Sequence, residues 1–238
     1  EETLLKRRER YNAELPDGVL VLTAGVDVQD DRLEVEVVGW GVGKESWGIE
    51  YKIFYGDPGQ EVVWYQLDEY LSKEFSFANG EKLGISCTCV DTGGHFTTEA
   101  YKFCKPREHR RIFAIKGVGG MGKPLIGKAS RNNRERVALF PIGVDTGKEL
   151  VITRLKIEFE GPGYCHFPIE PEKGYDEAYF KGLTSEKRVI KYHKGRPRIE
   201  WHKKSGVQNE PLDLRNYATA ALEILNPNLE LLKERNQT

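Results

Sequence analysis

Asp27, Asp91 and Asp213 are the residues whose types and settings best suit chemistry. Asp27 closes the apolar run Leu20-Val21-Leu22-Thr23-Ala24-Gly25-Val26. Asp91 closes a second run, Leu83-Gly84-Ile85-Ser86-Cys87-Thr88-Cys89-Val90. Asp213 falls in the first turn of an amphipathic segment that starts near Pro211, where a helix dipole favours an ionised carboxylate. A carboxylate at the end of a buried strand is costly unless it is paired or holds a cation. Oxygen ligands from several elements, with water completing the shell, are what Mg2+ or Mn2+ prefers. Two such ions about 4 Å apart can activate a water and stabilise the leaving oxygen of a phosphodiester. Each aspartate alone is equally well a cap or a turn residue. The joint placement, two strand ends and one helix start, is what points to a metal centre.

The elements that must position these groups follow from periodicity. A first strand covers roughly Val19 to Asp27 and a second Arg32 to Val42. The second puts Leu33, Val35 and Val37 on one face and Glu34 and Glu36 on the other, a pattern that predicts one wetter face. A third strand alternates Trp47, Ile49, Tyr51 and Ile53, and the short connections predict an antiparallel three-strand meander. Val62 to Leu71 has helical spacing. The strand Leu83 to Asp91, reached through that helix, is most easily parallel, and beside the first strand it brings both carboxylates to one edge. Thr97 or Thr98 is positioned to cap a helix carrying Phe96, Ala100 and Phe103. A fifth strand, Arg111 to Lys116, leads into an aperiodic loop, Gly117 to Arg136. A strand at Val137 to Val144, a helix at Gly147 to Phe159, a short helix at Tyr175 to Leu183 and a basic hairpin at Val189 to Trp201 follow. The last helix repeats Leu214, Tyr217, Ala218, Ala221, Leu222 and Leu225 until Asn226-Pro227 stops it. The plan is α/β: a ribonuclease H-like mixed sheet, meander plus parallel strands, flanked by helices. Residues 1–16 read as a charged connector, 17–227 as one domain and 228–238 as a polar, frayed tail.

The formal net charge of −1 conceals segregation. Eleven Lys/Arg against two Glu lie between Lys102 and Arg136, and eight against two between Ser185 and Lys204, so two basic arms flank the acidic positions. Solvated loops would look the same. A polyanion held against bound metal is the functional reading, with Lys123, Lys128, Arg131, Arg134, Arg136, Lys194 and Arg196 as phosphate contacts. Of the tryptophans only Trp201, in the basic segment, has a setting compatible with stacking on DNA, and a plain packing role fits it as well. Other classes find little support. No apolar run approaches the roughly 20 residues of a membrane helix, and no signal peptide is visible. Cys87-x-Cys89 is too tight for a usual zinc pair, which leaves reduced, structural thiols as in a cytosolic protein. The histidines form no H-E-x-x-H, and no G-x-S-x-G occurs. Gly117 to Lys123 matches G-x-x-x-x-G-K, but Pro124 stands where a phosphate-binding loop needs Ser or Thr for Mg2+. The chain starts at Glu1 and its only methionine is Met121, which predicts a piece of a longer protein.

With these residues in place the chain resembles the C-terminal nuclease domain of the large terminase subunit of lambda-type (GpA-like) tailed phages. The blocks that carry the likeness are Leu22-Thr23-Ala24-Gly25-Val26-Asp27-Val28-Gln29-Asp30-Asp31-Arg32-Leu33-Glu34, Val38-Gly39-Trp40-Gly41, Glu45-Ser46-Trp47, Val90-Asp91-Thr92-Gly93-Gly94-His95, Gly143-Val144-Asp145-Thr146-Gly147-Lys148, Gly161-Pro162-Gly163-Tyr164-Cys165-His166-Phe167-Pro168 and Asn209-Glu210-Pro211-Leu212-Asp213 with Tyr217-Ala218-x-Ala220-Ala221. The first and last are the most specific. The resemblance implies two Mg2+ or Mn2+ ions and endonucleolytic cutting of concatemeric viral double-stranded DNA. It implies an ATPase domain upstream in the same polypeptide, the small terminase subunit and the portal as partners, no membrane, and the host bacterial cytoplasm as the place of action. The family's acidic cluster carries over to Asp27, Asp91 and Asp213. Asp145 matches too, as a further ligand or as the cap of the following helix. Lys148 is placed to contact the scissile phosphate, and Glu210 lies beside the cluster. The rival readings are another ribonuclease H-like phosphotransferase, such as a resolvase or transposase core, and a non-catalytic DNA-docking module.

Overall fold

The computed structural model describes residues 1–238. β1 (Val21–Val28), β2 (Arg32–Trp40) and β3 (Ser46–Tyr55) form the expected antiparallel meander. α2 (Glu61–Leu71) carries the chain back, after α1 (Glu2–Lys6) has opened it. β5 (Lys82–Asp91) then pairs in parallel with β1, with Val26 opposite Val90. α3 (Thr97–Cys104), β6 (Ile112–Val118) and β7 (Leu139–Gly143) extend the parallel half. The short β4 (Glu74–Ser76) pairs with β5, and β8 (Cys165–His166) adds to β3, so the strand order is β7-β6-β5-β1-β2-β3-β8. Three-residue and two-residue strands carry too little alternation to be read from sequence.

Both faces of this sheet are covered. On one, Leu22, Ala24, Val26, Leu33, Val35 and Val37 pack under α2 and α3. On the other lies α6 (Glu210–Leu225), flanked by α4 (Val144–Leu155) and α5 (Glu177–Leu183). That second cover corrects the expectation of a wetter face. Glu34 is 4% exposed and Glu36 is fully buried. Glu36 is tolerated because Arg215 reaches it at 2.9 Å and the Tyr175 and Tyr179 hydroxyls each donate to it at 2.8 Å. Alternation of charge with apolar residues marks a sheet with two faces, but it does not say that the charged face is wet.

Residues 1–16 pack against the fold: Leu4 and Leu15 are buried, and Arg7 donates to the carbonyls of Ile157 and Cys165. Two further expectations change. Residues 228–238 are not a frayed tail, since α7 (Leu229–Asn236) forms there, capped by the Asn228 side chain, and buries Leu229 beside Val21, Val38 and Trp40. Neither Thr97 nor Thr98 is the cap of α3. Phe96 holds that position, and the Thr97 hydroxyl donates to the carbonyls of Thr92 and Gly94, closing the preceding turn. β9 (Glu186–His193) and β10 (Arg196–Lys203) form a two-stranded sheet of their own. Its turn, Lys194-Gly195, has φ of 49° and 76°, the left-handed pair that a two-residue hairpin turn requires. All four cysteines are buried and free of disulfides. No helix is long and apolar enough to cross a membrane.

Candidate active site

Parallel pairing of β1 and β5 puts Asp27 and Asp91 side by side at the carboxyl edge of the sheet, on the face that α6 covers. Gly25 makes the third placement possible. A Cβ there would sit 2.4 Å from the Leu214 carbonyl oxygen and 2.8 Å from Tyr217 Cβ, so only glycine lets the first turns of α6 lie this close to β1. Asp213 thereby reaches the two strand-end carboxylates. All three line one open cavity of about 520 Å³ with Gln29, Lys116 and Tyr217.

The electrostatics are those of crowded anions. Burial pushes the Asp27 carboxyl up to about 7, helped by Asp91, Glu34 and Glu210 and opposed by the hydrogen bond from Gln29. Burial also raises Asp213 to about 8, with Asp27, Glu186 and Asp91 adding repulsion and Lys148 pulling the other way. Asp91 is raised by burial as well, although it accepts a hydrogen bond from the Gly93 amide at 3.1 Å and the nearby Tyr217 side chain pulls the other way. None of the three forms a direct salt bridge. Carboxylates so placed either keep their protons or take up a cation. Their oxygens, from two strands and a helix, are the hard donor set that Mg2+ or Mn2+ takes, and the cavity leaves room for water ligands, so the residues fit a divalent metal.

The other expected residues fall in several places. Glu210, one turn before Asp213, lies with Glu34 against Asp27, their ligand oxygens within 4.8 Å of one another. Asp145 is in the first turn of α4 and does not cap it. Its carboxylate accepts from the Gly120 amide at 2.8 Å, and it is not part of the cavity wall. Lys148 pairs with Glu186 at 2.9 Å, at the root of the hairpin, within electrostatic reach of Asp213. Among the basic candidates, Lys123, Lys128, Arg134, Arg136, Lys194 and Arg196 are exposed. Arg131, also exposed, is held by Glu108 at 2.8 Å and by the Arg136 carbonyl, so it braces its loop. The glycine-rich stretch Gly117 to Lys123 leads into no helix, as Pro124 suggested. Trp201 is half-buried, opposite Arg188. Sequence reasoning missed Glu34 and Lys116. Lys116 follows the same strand-end logic as the aspartates, because β6 runs parallel to β5 toward the same edge. Glu34 is found only once the register sets it opposite Asp27.

A mixed sheet of this order, helices on both faces and clustered carboxylates at the carboxyl edge define a ribonuclease H-like fold. A solved structure with this fold is a manganese-bound lysine-to-alanine mutant of the nuclease domain of the large terminase subunit of bacterial virus Sf6, with a TM-score of 0.51 at 12% identity, covering 92% of this chain and 96% of that one. More specifically, the chain belongs to the family described as terminase large subunit gpA, endonuclease domain, whose model matches residues 1–235. It is 40% identical to the terminase large subunit of Escherichia phage lambda and 33% identical to that of Enterobacteria phage P21, in each case over 94% of this chain. The chain spans 35% of the length of each of these relatives.

Proposed function

We propose that this chain cuts double-stranded DNA hydrolytically, with Asp27, Asp91 and Asp213 holding two divalent ions, and that in the whole protein this cutting trims concatemeric phage DNA for packaging. The observation that carries the reading is the convergence of three partly or fully buried carboxylates, none of them in a salt bridge, in one open cavity. The manganese in the Sf6 neighbour supports the choice of Mg2+ or Mn2+.

The bound ions would supply an activated water and charge stabilisation for the leaving oxygen. The chain's own residues do the rest. Asp27, at the centre, is fixed by Gln29, and Asp91 by the Gly93 amide, so the ligands are pre-oriented. Lys116 on the rim and Lys148 behind Asp213 offer positive charge to a phosphate. The exposed cations of the 119–138 loop (Lys123, Lys128, Arg134, Arg136) and of the hairpin (Lys194, Arg196) track the backbone of the duplex without reading its sequence. Asp145, outside the cavity, serves the loop by anchoring Gly120. By family likeness, an ATPase domain upstream in the polypeptide, the small terminase subunit and the portal position the DNA, in the host bacterial cytoplasm.

Nicking of supercoiled plasmid with Mn2+, with and without EDTA, tests the proposal. Chelator-sensitive cutting that Asp91→Asn abolishes is expected. Absence of any metal-dependent cutting at high protein concentration, with duplex binding intact, would return the docking-module reading.

A further inference from the structure

A second group of carboxylates lies on the far side of Asp27 from Asp91. Register sets Glu34 of β2 opposite Asp27, and the first turn of α6 lowers Glu210 onto both. One oxygen from each of the three falls within 4.8 Å of the others, a span that one oxygen-coordinated divalent ion bridges. All three residues are buried. The hydrogen bonds around them are unequal. Glu34 accepts from the Tyr51 hydroxyl at 2.8 Å and from Arg32 Nε at 3.3 Å. Glu210 Oε1 accepts from Arg32 Nη2 at 3.2 Å. Glu210 Oε2 is buried with no partner at all, on a residue only 7% exposed. A buried carboxylate oxygen left in this way keeps its full desolvation penalty unless something from outside the chain meets it.

Arg32 does not balance the group. Its guanidinium is divided among Glu34, Glu210 and the exposed Asp31, whose carboxylate it meets at 2.6 Å. Three carboxylates against a guanidinium that Asp31 also draws on leave, when ionised, at least two negative charges, enough for one divalent cation. A way in exists. A second cavity of about 460 Å³, separate from that of Asp91 and Asp213, is lined by Glu34, Tyr51, Tyr179, Gln208 and Glu210.

We propose that Asp27, Glu34 and Glu210 form an additional position for a hard divalent cation of the Mg2+, Mn2+ or Ca2+ class, reached from the Tyr51–Gln208 side. It rests on the reading of Asp27 as a metal ligand and adds to the positions facing Asp91 and Asp213. An ion there neutralises the inner side of Asp27, so that its outer oxygen is presented ionised to the cutting centre.

The test is anomalous scattering from crystals of the chain soaked in MnCl2, with Mn2+ affinity in solution measured by calorimetry. A peak in contact with Glu210 and Glu34 is expected beside one or two at Asp91 and Asp213. In Glu210→Gln the first peak should vanish and the affinity of that class of site should fall at least tenfold, while the ions at Asp91 remain as an internal control. Glu34→Gln repeats the test if Glu210→Gln folds poorly. Filled positions at Asp91 and Asp213 with no ion at Glu210, Arg32 keeping its place, would overturn this inference and leave the proposed nuclease standing. No ion anywhere beside Asp27 would overturn both.

Discussion

Replacing Asp27 by Asn separates stability from catalysis, and the structure sets the size of the effect. The Asp27 carboxyl stands at about 7 against an ordinary 3.8, because burial and the neighbouring Asp91, Glu34 and Glu210 disfavour its charge. That displacement corresponds to on the order of 4 kcal/mol of lost stability once the group is forced to ionise in the metal-free fold. The folded pKa lies above the unfolded one. The side chain's favourable contribution is therefore complete below about pH 4, and it is lost as pH rises through about 7. Asp27→Asn removes the charge and keeps the oxygen that accepts from Gln29, but adds amide hydrogens that need partners, at a cost of about 1–3 kcal/mol. The metal-free variant should therefore be more stable than wild type at pH 8 by about 1–3 kcal/mol, or several degrees in melting temperature for a chain of this size. Toward pH 4 the difference should vanish and reverse, because the wild-type carboxyl is then neutral while the variant still carries the cost of its amide hydrogens. Saturating Mn2+ should raise the wild type by roughly 3 kcal/mol at a hundredfold excess over its dissociation constant, and the variant far less. Thermal melts at pH 4, 6 and 8, with Mn2+ or EDTA, read all of this out, and plasmid nicking on the same samples should show cleavage abolished with DNA binding kept or increased. A variant no more stable than wild type at pH 8, or one that Mn2+ stabilises equally, would refute the reasoning.

The remaining expectations follow from packing and charge. Charge reversal at Lys128 and Arg134, exposed cations of the 119–138 loop, should weaken duplex binding and lower the salt slope by about one for each phosphate no longer neutralised; a binding isotherm series in KCl with an unchanged slope would remove this loop from the interface. Gly25→Ala should lift α6 from β1, because its Cβ would strike the Leu214 carbonyl at 2.4 Å; loss of nicking together with weakened Mn2+ binding is expected, and wild-type values of both would show that α6 has slack. Arg215→Met strands the buried Glu36 and should cost about 3–5 kcal/mol in urea unfolding; a change below about 1 kcal/mol would mean that Tyr175 and Tyr179 alone satisfy that carboxylate.

How much of this was legible in the sequence depends on the kind of pattern involved. Strand-end aspartates and the final amphipathic helix are local patterns, and Asp27, Asp91 and Asp213 do converge on one cavity. The meander and the parallel strand likewise follow from alternation and connection length. What stayed hidden needs knowledge of neighbours. Glu34 and Glu36 alternate with apolar residues as solvent-facing positions would, and only the cover of α6 and α5 makes them interior. The tail 228–238 is polar in composition, yet Leu229, with Leu232 beside it, docks it through α7. Arg131 looks like its basic neighbours until Glu108, remote in sequence, claims it.

The face beneath α6 carries its own control experiment. Glu36 and Asp27 lie on the same side of the same sheet, on neighbouring strands, and both are buried. Around Glu36 the fold provides a guanidinium making two hydrogen bonds and two tyrosine hydroxyls. Around Asp27 it provides one glutamine amide and four further carboxylates, Asp91, Asp213, Glu34 and Glu210. The chain can therefore neutralise a buried carboxylate internally at this depth, and does so one strand away. Failure to do so at Asp27 cannot be ascribed to a lack of room for an arginine, since Arg32 stands on the adjacent strand and turns to Glu34 and Glu210 instead. A deficit of positive charge kept beside an open cavity, at a stability cost that the pH dependence of folding should expose, is the physical mark of a site whose cation comes from solution.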